Sequence, residues 1–361
     1  MNISSIVTAR SYPKSIIASL KSTHGLPFRE ILSPEVIAES INVPYRERYE
    51  FYSPEITLWA FLSQALDADQ SLDAAVKRVI AFHLAIGHDY DISPNTAAFS
   101  KARSRLPEEI ISNLARDSAE RMEENIPVSW LWNKLHLKLV DGTTVSMPDT
   151  PGNQKLYPQP GSQKKGIGFP IARIVAVISC VTGAVLDLAI GPYAGKETGE
   201  HALLRQIINV FEPGDVALGD SYYASFFLIA MLIKKGVKVI FPMHTARNSD
   251  FRRGKQLDKK DHIAKWIKPK KPKWMDQETY DGFPAEIDVR EVMICNNKKG
   301  FRSEQRIIVT TFLDAAFISS SQLATLYSCR WWVELDLRSL KQTMHMDILR
   351  GKSPEMVRKE I

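Results

Sequence analysis

The sequence predicts an α/β fold in two parts, an all-α domain over residues 1–128 and a mixed-sheet domain over residues 129–361. Two observations support this division. Helix start signals dominate the first third of the chain, whereas short apolar strands alternate with helices after a linker near Ile126-Pro127. With 361 residues, 44% of them hydrophobic, the chain is long enough to bury more than one core.

The N-terminal part repeats one local signal for the start of a helix. A serine is followed directly by a proline, and in two of the three cases by a glutamate. A serine hydroxyl accepts a hydrogen bond from a free N–H of the first turn, and proline fits the first helical position because no N–H is needed there. The signals lie at Ser33-Pro34-Glu35, Ser53-Pro54-Glu55 and Ser93-Pro94.

Two of the predicted helices can pair as a helix-turn-helix. Segments 71–88 and 93–107 are joined by a glycine-containing turn. The second helix would present Lys101, Arg103 and Arg105, as a helix that contacts DNA requires. A small helical bundle with a few surface arginines fits the same residues equally well, so the residues alone leave both interpretations open.

The second domain has the element order of a ribonuclease-H-like core. The pattern predicts a strand, a hairpin that turns at Thr182-Gly183, a helix, a strand, a helix and a last strand. The predicted bounds are 135–140, 171–180 and 184–190, 199–211, 215–220, 224–235 and 237–243. Two further strand-like segments, 284–294 and 306–313, predict a β-rich insertion at about 245–318.

Two aspartates end apolar strands at places where folding does not require a carboxylate. Asp141 closes the strand KLHLKLVDGTT, and Asp220 closes DVALGD. Open α/β sheets carry functional sites at the carboxyl ends of their strands, and carboxylate oxygens are ligands that Mg²⁺ prefers. The alternative for either aspartate alone is a turn or helix-cap residue, which is the commoner role of a single Asp after a strand.

A polar stripe runs along the helix predicted for residues 323–344. At about 100° per residue, Tyr327, Arg330, Glu334 and Lys341 fall within roughly 60° of one face. A carboxylate held between cations suits metal-assisted chemistry on a phosphate. A solvated helix with ion pairs four residues apart is the alternative.

These features together resemble a known family, the DDE transposases of bacterial insertion sequences of the IS-four type. The family's signature, Tyr-x2-Arg-x3-Glu-x6-Lys, matches the spacing of the stripe that begins at Tyr327. Residues 140–153 and 219–226 are similar to the family's regions around the first and second Asp, with a departure at Ser221-Tyr222-Tyr223. The resemblance covers most of the chain.

The resemblance implies a DNA transposase that cleaves and joins phosphodiester bonds by two-metal in-line transfer. Asp141, Asp220 and Glu334 would be the catalytic residues and would hold two Mg²⁺ ions, for which Mn²⁺ would substitute. The residues implied to contact DNA are Tyr327, Arg330 and Lys341, with Lys101, Arg103 and Arg105 in the helical domain.

The family also implies the substrates and the order of steps. The DNA would be terminal inverted repeats and a target duplex, bound by a homodimer in a bacterial cytoplasm, close to the nucleoid. Hydrolysis, hairpin formation, hairpin opening and strand transfer would follow one another.

Two alternative functions remain, a ribonuclease-H-like structure-specific nuclease and a truncated, inactive DNA-binding derivative. Truncation is expected because residues 353–361 begin another capped helix and then stop.

Positive charge is concentrated in one segment. The formal net charge of +6 favours a polyanionic partner only weakly. Residues 251–274, however, hold ten Lys or Arg against two Asp. Such a run is usually a solvated loop, and interleaved tryptophans make contact with nucleic acid a rival interpretation. The candidates for stacking on a displaced base are Trp266, Trp274, Trp331 and Trp332, with a core role as the alternative for each.

Cysteine spacing and hydropathy exclude several other classes. The three cysteines, at 180, 295 and 329, are too scattered for a zinc site or a disulfide framework, which fits a reducing compartment. The apolar run 223–233 is too short to cross a bilayer and reads as a buried helix. The basic, serine-rich first thirty residues formally resemble a transit peptide, but nothing else in the sequence indicates an organelle.

Overall fold

The chain divides into two compact units. A computed structural model describes residues 51–67, 69–85, 93–164, 166–296, 304–330 and 346–361. One unit, called here the sheet unit, takes in Asn125–Thr144 and Ile171–Arg338. The other, called the helical unit, combines Thr8–Glu124 with Val145–Pro170 and Ser339–Ile361. The helical unit therefore draws on three separate stretches of the chain.

The helical unit is built on short amphipathic helices. Its two hydrophobic clusters centre on Trp59 and Phe99 in one case and on Leu58 and Leu114 in the other. Its helices in the described residues are α1 Pro54–Leu66, α2 Leu72–Ala85, α3 Thr96–Arg105, α4 Glu108–Glu124, α5 Pro151–Leu156 and α10 Pro354–Glu360.

Serine-proline signals start two of these helices. Ser53 caps α1 by accepting a hydrogen bond from the Ile56 N–H at 3.1 Å, and Ser353 caps α10 in the same way. The signal at Ser93 is wrong, because α3 begins three residues later with Asn95 as its cap. Asparagine caps a helix as well as serine does, so the nearer residue serves. The signal at Ser33 lies outside the described residues.

The sheet unit is organised around one mixed sheet. In the described residues the sheet has nine strands in the order β3-β2-β1-β4-β5-β9-β8-β7-β6. The strands are β1 Leu137–Ser146, β2 Ile171–Ser179, β3 Val185–Pro192, β4 Val216–Leu218, β5 Lys238–Pro242, β6 Lys255–Asp258, β7 Asp261–Ile267, β8 Glu286–Asn296 and β9 Glu304–Thr310. The helices are α6 Glu200–Gln206, α7 Phe226–Lys234, α8 Gln277–Asp281 and α9 Ser320–Ser328.

The predicted core strands and the hairpin are confirmed, with three differences. β1 does not end at Asp141 but continues to Ser146. The helix expected at 199–211 ends at Gln206 and is followed by a 3-10 turn over Ile208–Val210. The insertion is not a separate layer, because β9 pairs with β5 and so extends the core sheet.

The basic run is structured in part, so its interpretation as a solvated loop is wrong for two segments. β6 and β7 form a hairpin inside it, and β7 pairs with β8 along its whole length. Trp266 on β7 is only 4% exposed. Its indole N–H donates to the buried Glu291 carboxylate at 2.8 Å. This part of the basic run therefore belongs to a sheet strand with Trp266 on its buried side.

Parallel pairing at the centre of the sheet has a defined register. Leu137 lies beside Val216, and Leu139 lies beside Leu218. A buried ion pair flanks this pairing, since the Lys138 ammonium lies 2.6 Å from the Asp215 carboxylate. Lys138 also donates to a backbone carbonyl at 2.7 Å. The described part of the chain contains no helix that is long and apolar enough to span a membrane.

Lys138→Met is expected to lower the free energy of unfolding by about 3–5 kcal/mol, because it leaves the Asp215 carboxylate buried without its cation. Lys138→Met combined with Asp215→Asn should lose less, since the amide still accepts the hydrogen bond from the Glu212 N–H. Urea denaturation monitored by circular dichroism measures both. Equal losses in the single and double variants would show that the ion pair does not hold this register.

Candidate active site

The register of the sheet brings the two predicted aspartates together. Asp141 lies two residues beyond Leu139, and Asp220 lies two residues beyond Leu218, its partner in the parallel pairing. β4 ends at Leu218, and beyond it the Asp220 carboxylate is near enough to Asp141 to raise the pKa of that carboxyl. The sequence prediction that both carboxylates lie at one edge of the core is therefore consistent with the strand pairing.

Each aspartate is oriented by its own backbone. Asp141 accepts a hydrogen bond from the Gly142 N–H at 2.8 Å. Asp220 accepts one from the Tyr222 N–H at 2.7 Å and caps the 3-10 turn Ser221–Tyr223. Asp220 thus acts as a cap, which was the alternative role expected from the sequence, and it also lies near Asp141.

The site carries more negative than positive charge. Burial raises the pKa of Asp141 to about 6, and the carboxylates of Asp220 and Glu200 push it in the same direction. The Gly142 N–H and the Arg330 guanidinium oppose this shift. Neighbouring carboxylates that raise the pKa of Asp141 form an environment that a bound cation stabilises.

Glu200 is a member of the site that the sequence analysis missed. It lies in the first turn of α6 and is half-buried. Its carboxylate accepts a hydrogen bond from the Tyr223 hydroxyl at 3.2 Å. Burial raises the pKa of Glu200, and the Asp220 carboxylate adds to the rise. An acidic residue at a helix start is an ordinary feature, so the sequence held no signal for this role beyond the glycine that follows Asp141.

The arginine of the signature also lies at the site. Arg330 follows α9 and is close enough to Asp141 to lower the pKa of that carboxyl. The Tyr327 hydroxyl accepts a hydrogen bond from Arg306 at 3.1 Å, and the Arg330 guanidinium carbon lies 6.0 Å from the centre of the Tyr327 ring. Glu334 and Lys341 lie outside the described residues.

The basic residues of α3 do not share one face. Lys101 and Arg105 are exposed, whereas Arg103 is half-buried. Arg103 donates to the Gln64 side chain at 2.8 Å, and its guanidinium lies 4.7 Å from the centre of the Phe61 ring. Residues two apart on a helix point about 200° apart, so Arg103 faces the interior of the helical unit. The expectation that all three present themselves to DNA is therefore wrong for Arg103.

Two of the four candidate tryptophans fall within the described residues. Trp266 is an interior residue, as its burial and its bond to Glu291 show. Trp274 is 37% exposed and lies under the Arg205 guanidinium, 3.7 Å from its ring centre. Trp331 and Trp332 lie outside the described residues.

The donors at the site fit a hard divalent cation. Asp141, Asp220 and Glu200 offer carboxylate oxygens. A bound cation would offset the repulsion between them. Over the described ranges, no three Asp, Glu, His or Cys side chains converge closely enough to enclose an ion. These residues therefore need another ligand or ordered water to complete the coordination of a cation.

Asp141→Asn is expected to stabilise the metal-free protein at about pH 8 but not at about pH 4, by on the order of 1–2 kcal/mol. The folded-state pKa of about 6 is above the usual 3.8, so the ionised carboxyl opposes folding at high pH and the penalty disappears in acid. Urea denaturation at both pH values measures the difference.

The exposed Asp149 provides the matched control, because Asp149→Asn removes the same charge outside the site. That variant should change stability little at either pH. If Asp141→Asn destabilised the protein at high pH, the ionised Asp141 carboxyl would not oppose folding.

Comparison with known proteins identifies the family. A family model described as the transposase DDE domain matches residues 132–361. The chain is 25% identical over 338 residues to the transposase InsG for insertion sequence element IS4 of Escherichia coli K12, a match that covers 92% of this chain and 72% of InsG. The putative transposase InsZ of the same organism is 25% identical over 141 residues, which are 39% of this chain and 46% of InsZ. The chain belongs to the DDE transposases, in the group of the insertion sequence IS4.

Proposed function

We propose that this transposase cleaves and joins DNA at insertion-sequence ends by two-metal in-line transfer, with Asp141, Asp220 and Glu334 as the metal ligands. One observation carries the proposal: Asp220 and Arg330 both lie near enough to Asp141 to act on its carboxyl, and each aspartate follows two residues after the paired Leu139 and Leu218. The family match supports a metal-dependent enzyme that cleaves DNA and transfers strands. The role of Glu334 rests on its place in the signature.

Each residue has a distinct task in this proposal. When bound, two Mg²⁺ or Mn²⁺ ions supply the positive charge that the attacking and leaving oxygens need. Asp141 lies within β1 and Asp220 follows β4, and backbone N–H groups orient both carboxylates. The Arg330 guanidinium donates to the phosphate at the scissile bond. Tyr327 and Lys341 contact neighbouring phosphates.

The substrate in this proposal is double-stranded DNA. The terminal inverted repeats are bound and cut first, and a hairpin forms on the excised end and is opened by hydrolysis. The 3′-hydroxyl released in that step then attacks the target duplex. A homodimer holds the two ends of the element together, as cut-and-paste transposition requires two coordinated cuts. The helical unit supplies part of the DNA contact through Lys101 and Arg105, which are exposed on α3. Because the substrate is chromosomal DNA, the enzyme works at the bacterial nucleoid.

A strand-transfer assay with pre-cleaved ends separates this proposal from a structure-specific nuclease. The transposase joins such ends to a target plasmid, whereas a nuclease with the same carboxylates only cuts. Absence of both cleavage and joining, with retained binding to the ends, would instead indicate an inactive DNA-binding derivative.

Asp141→Asn, Asp220→Asn and Glu334→Gln should each lower Mg²⁺-dependent cleavage at least about 100-fold, because each removes a charged ligand without changing side-chain shape. DNA binding should be nearly unchanged. Plasmid cleavage and gel-shift assays measure the two properties separately, with Asp149→Asn as an active control. Cleavage at the parental rate in any one variant would remove that residue from the proposed ligand set.

Lys101→Ala and Arg105→Ala should each weaken binding to end DNA and make the slope of log affinity against log salt shallower by about one, because each removes a cation that neutralises one phosphate. Arg103→Ala should instead lower thermal stability, because this side chain packs on Phe61 and Phe99 inside the helical unit. Fluorescence anisotropy in a salt series and thermal denaturation, both on the full chain, measure these effects. If the first two variants bind as the parent does, DNA binds elsewhere, and the β6–β7 hairpin of the basic run is the next surface to test.

A further inference from the structure

Glu200 lies against the backbone that carries Asp141. Its carboxyl carbon is 2.4 Å from the position that a Cβ atom on residue 142 would occupy. A side chain at position 142 would therefore displace the Glu200 carboxylate from its place beside this backbone. The two carboxylates that meet here come from β1 and from the start of α6, which are distant in sequence.

Tyr223 fixes the orientation of the Glu200 carboxylate. Its side chain is fully buried, and its hydroxyl donates to Glu200 Oε2 at 3.2 Å. Tyr223 follows Asp220 within the capped 3-10 turn, so one short segment positions both acidic groups. A buried phenol that holds a carboxylate in one rotamer is a device for pre-organising a polar site.

Within the described residues, no ion pair accounts for Glu200. Arg173 is the cation whose charge acts on it most directly. That guanidinium, however, donates to the Thr198 carbonyl at 3.0 Å and lies over the Tyr193 ring. The other charged groups that act on Glu200 and its neighbour Asp141 are Asp220 and Arg330. Three half-buried carboxylates beside partly engaged arginines leave an excess of negative charge that an added cation neutralises.

We propose that Glu200 is a fourth acidic residue of the active site, which holds a water ligand of the metal ion bound at Asp141. This inference rests on the proposed two-metal function. In this proposal Glu200 acts through water, because Asp141 and Asp220 already supply the direct carboxylate ligands of that ion. Mg²⁺ keeps several of its waters in protein sites, and a carboxylate behind such a water raises metal affinity by orienting it. Glu200 is thus a positioning residue.

Glu200→Gln tests the inference, because glutamine keeps the shape and the acceptor for Tyr223 but removes the charge. The dissociation constant of Mn²⁺, measured by isothermal titration calorimetry on the full chain without DNA, should rise roughly 10- to 100-fold. The metal-free melting temperature should stay the same or rise, since a repelling charge is removed. The Mg²⁺ concentration for half-maximal cleavage should rise in parallel, and higher Mg²⁺ should restore much of the rate.

Glu197→Gln is the matched control. Glu197 lies three residues earlier, is exposed and pairs with Arg205, so its variant removes the same charge outside the site. Its Mn²⁺ affinity and cleavage should equal those of the parent. If Glu200→Gln does not fold, Tyr223→Phe replaces it, because the carboxylate remains but loses its orienting hydrogen bond. A several-fold loss of Mn²⁺ affinity in Tyr223→Phe supports the inference.

Unchanged Mn²⁺ affinity and an unchanged Mg²⁺ profile in Glu200→Gln, or unchanged affinity in Tyr223→Phe where that variant is used, overturn the inference. The proposed function then still stands if Asp141→Asn and Asp220→Asn remain inactive. A parent protein that binds neither Mn²⁺ nor Mg²⁺ and cuts no DNA would instead refute the proposed function itself. The two failures are therefore distinguishable in one set of measurements.

Discussion

Parallel pairing of β1 with β4 is the constraint on which the candidate site depends. The pairing fixes Leu139 beside Leu218, and Asp141 and Asp220 each follow two residues later. The buried Lys138–Asp215 pair lies next to the same register and opposes any slip. A shift by one residue would separate the aspartates and bury their charge on the wrong face of the sheet.

The same pairing brings together carboxylates that repel one another, and the proposed binding of metal ions explains why they are kept together. Folding alone would not gather Asp141, Asp220 and Glu200, because their repulsion and partial burial raise the pKa of Asp141 and of Glu200. Arg330 relieves only part of this charge. Bound cations stabilise a site of this kind, and without them the carboxylates destabilise the fold. Removal of one carboxylate charge is therefore expected to raise the stability of the metal-free protein and to lower catalytic activity.

Two of the wrong predictions are those that did not consider the direction in which each side chain points. Arg103 was grouped with Lys101 and Arg105 because the three are close in sequence, yet helical periodicity turns the middle one inward. In the basic run, part of the charge lies on strands β6 and β7, with Trp266 on the buried side. In both cases, a count of charged residues along the sequence predicts an exposed surface only when it is known whether the segment is a helix or a strand.

The sequence by itself determined the alternation of strands and helices, the choice of Asp141 and Asp220 as candidates and the signature that names the family, because these depend on local periodicity and spacing. Its expectation that Asp141 ends a strand was wrong, since β1 continues to Ser146. Glu334 and Lys341 remain predictions of that kind. Only the tertiary structure decided that Glu200 joins the site, that the insertion continues the core sheet through β9, and that Arg103 packs inside. The reason is physical: contacts between distant segments depend on strand register and on close approach at Gly142, and neither is encoded in a local pattern.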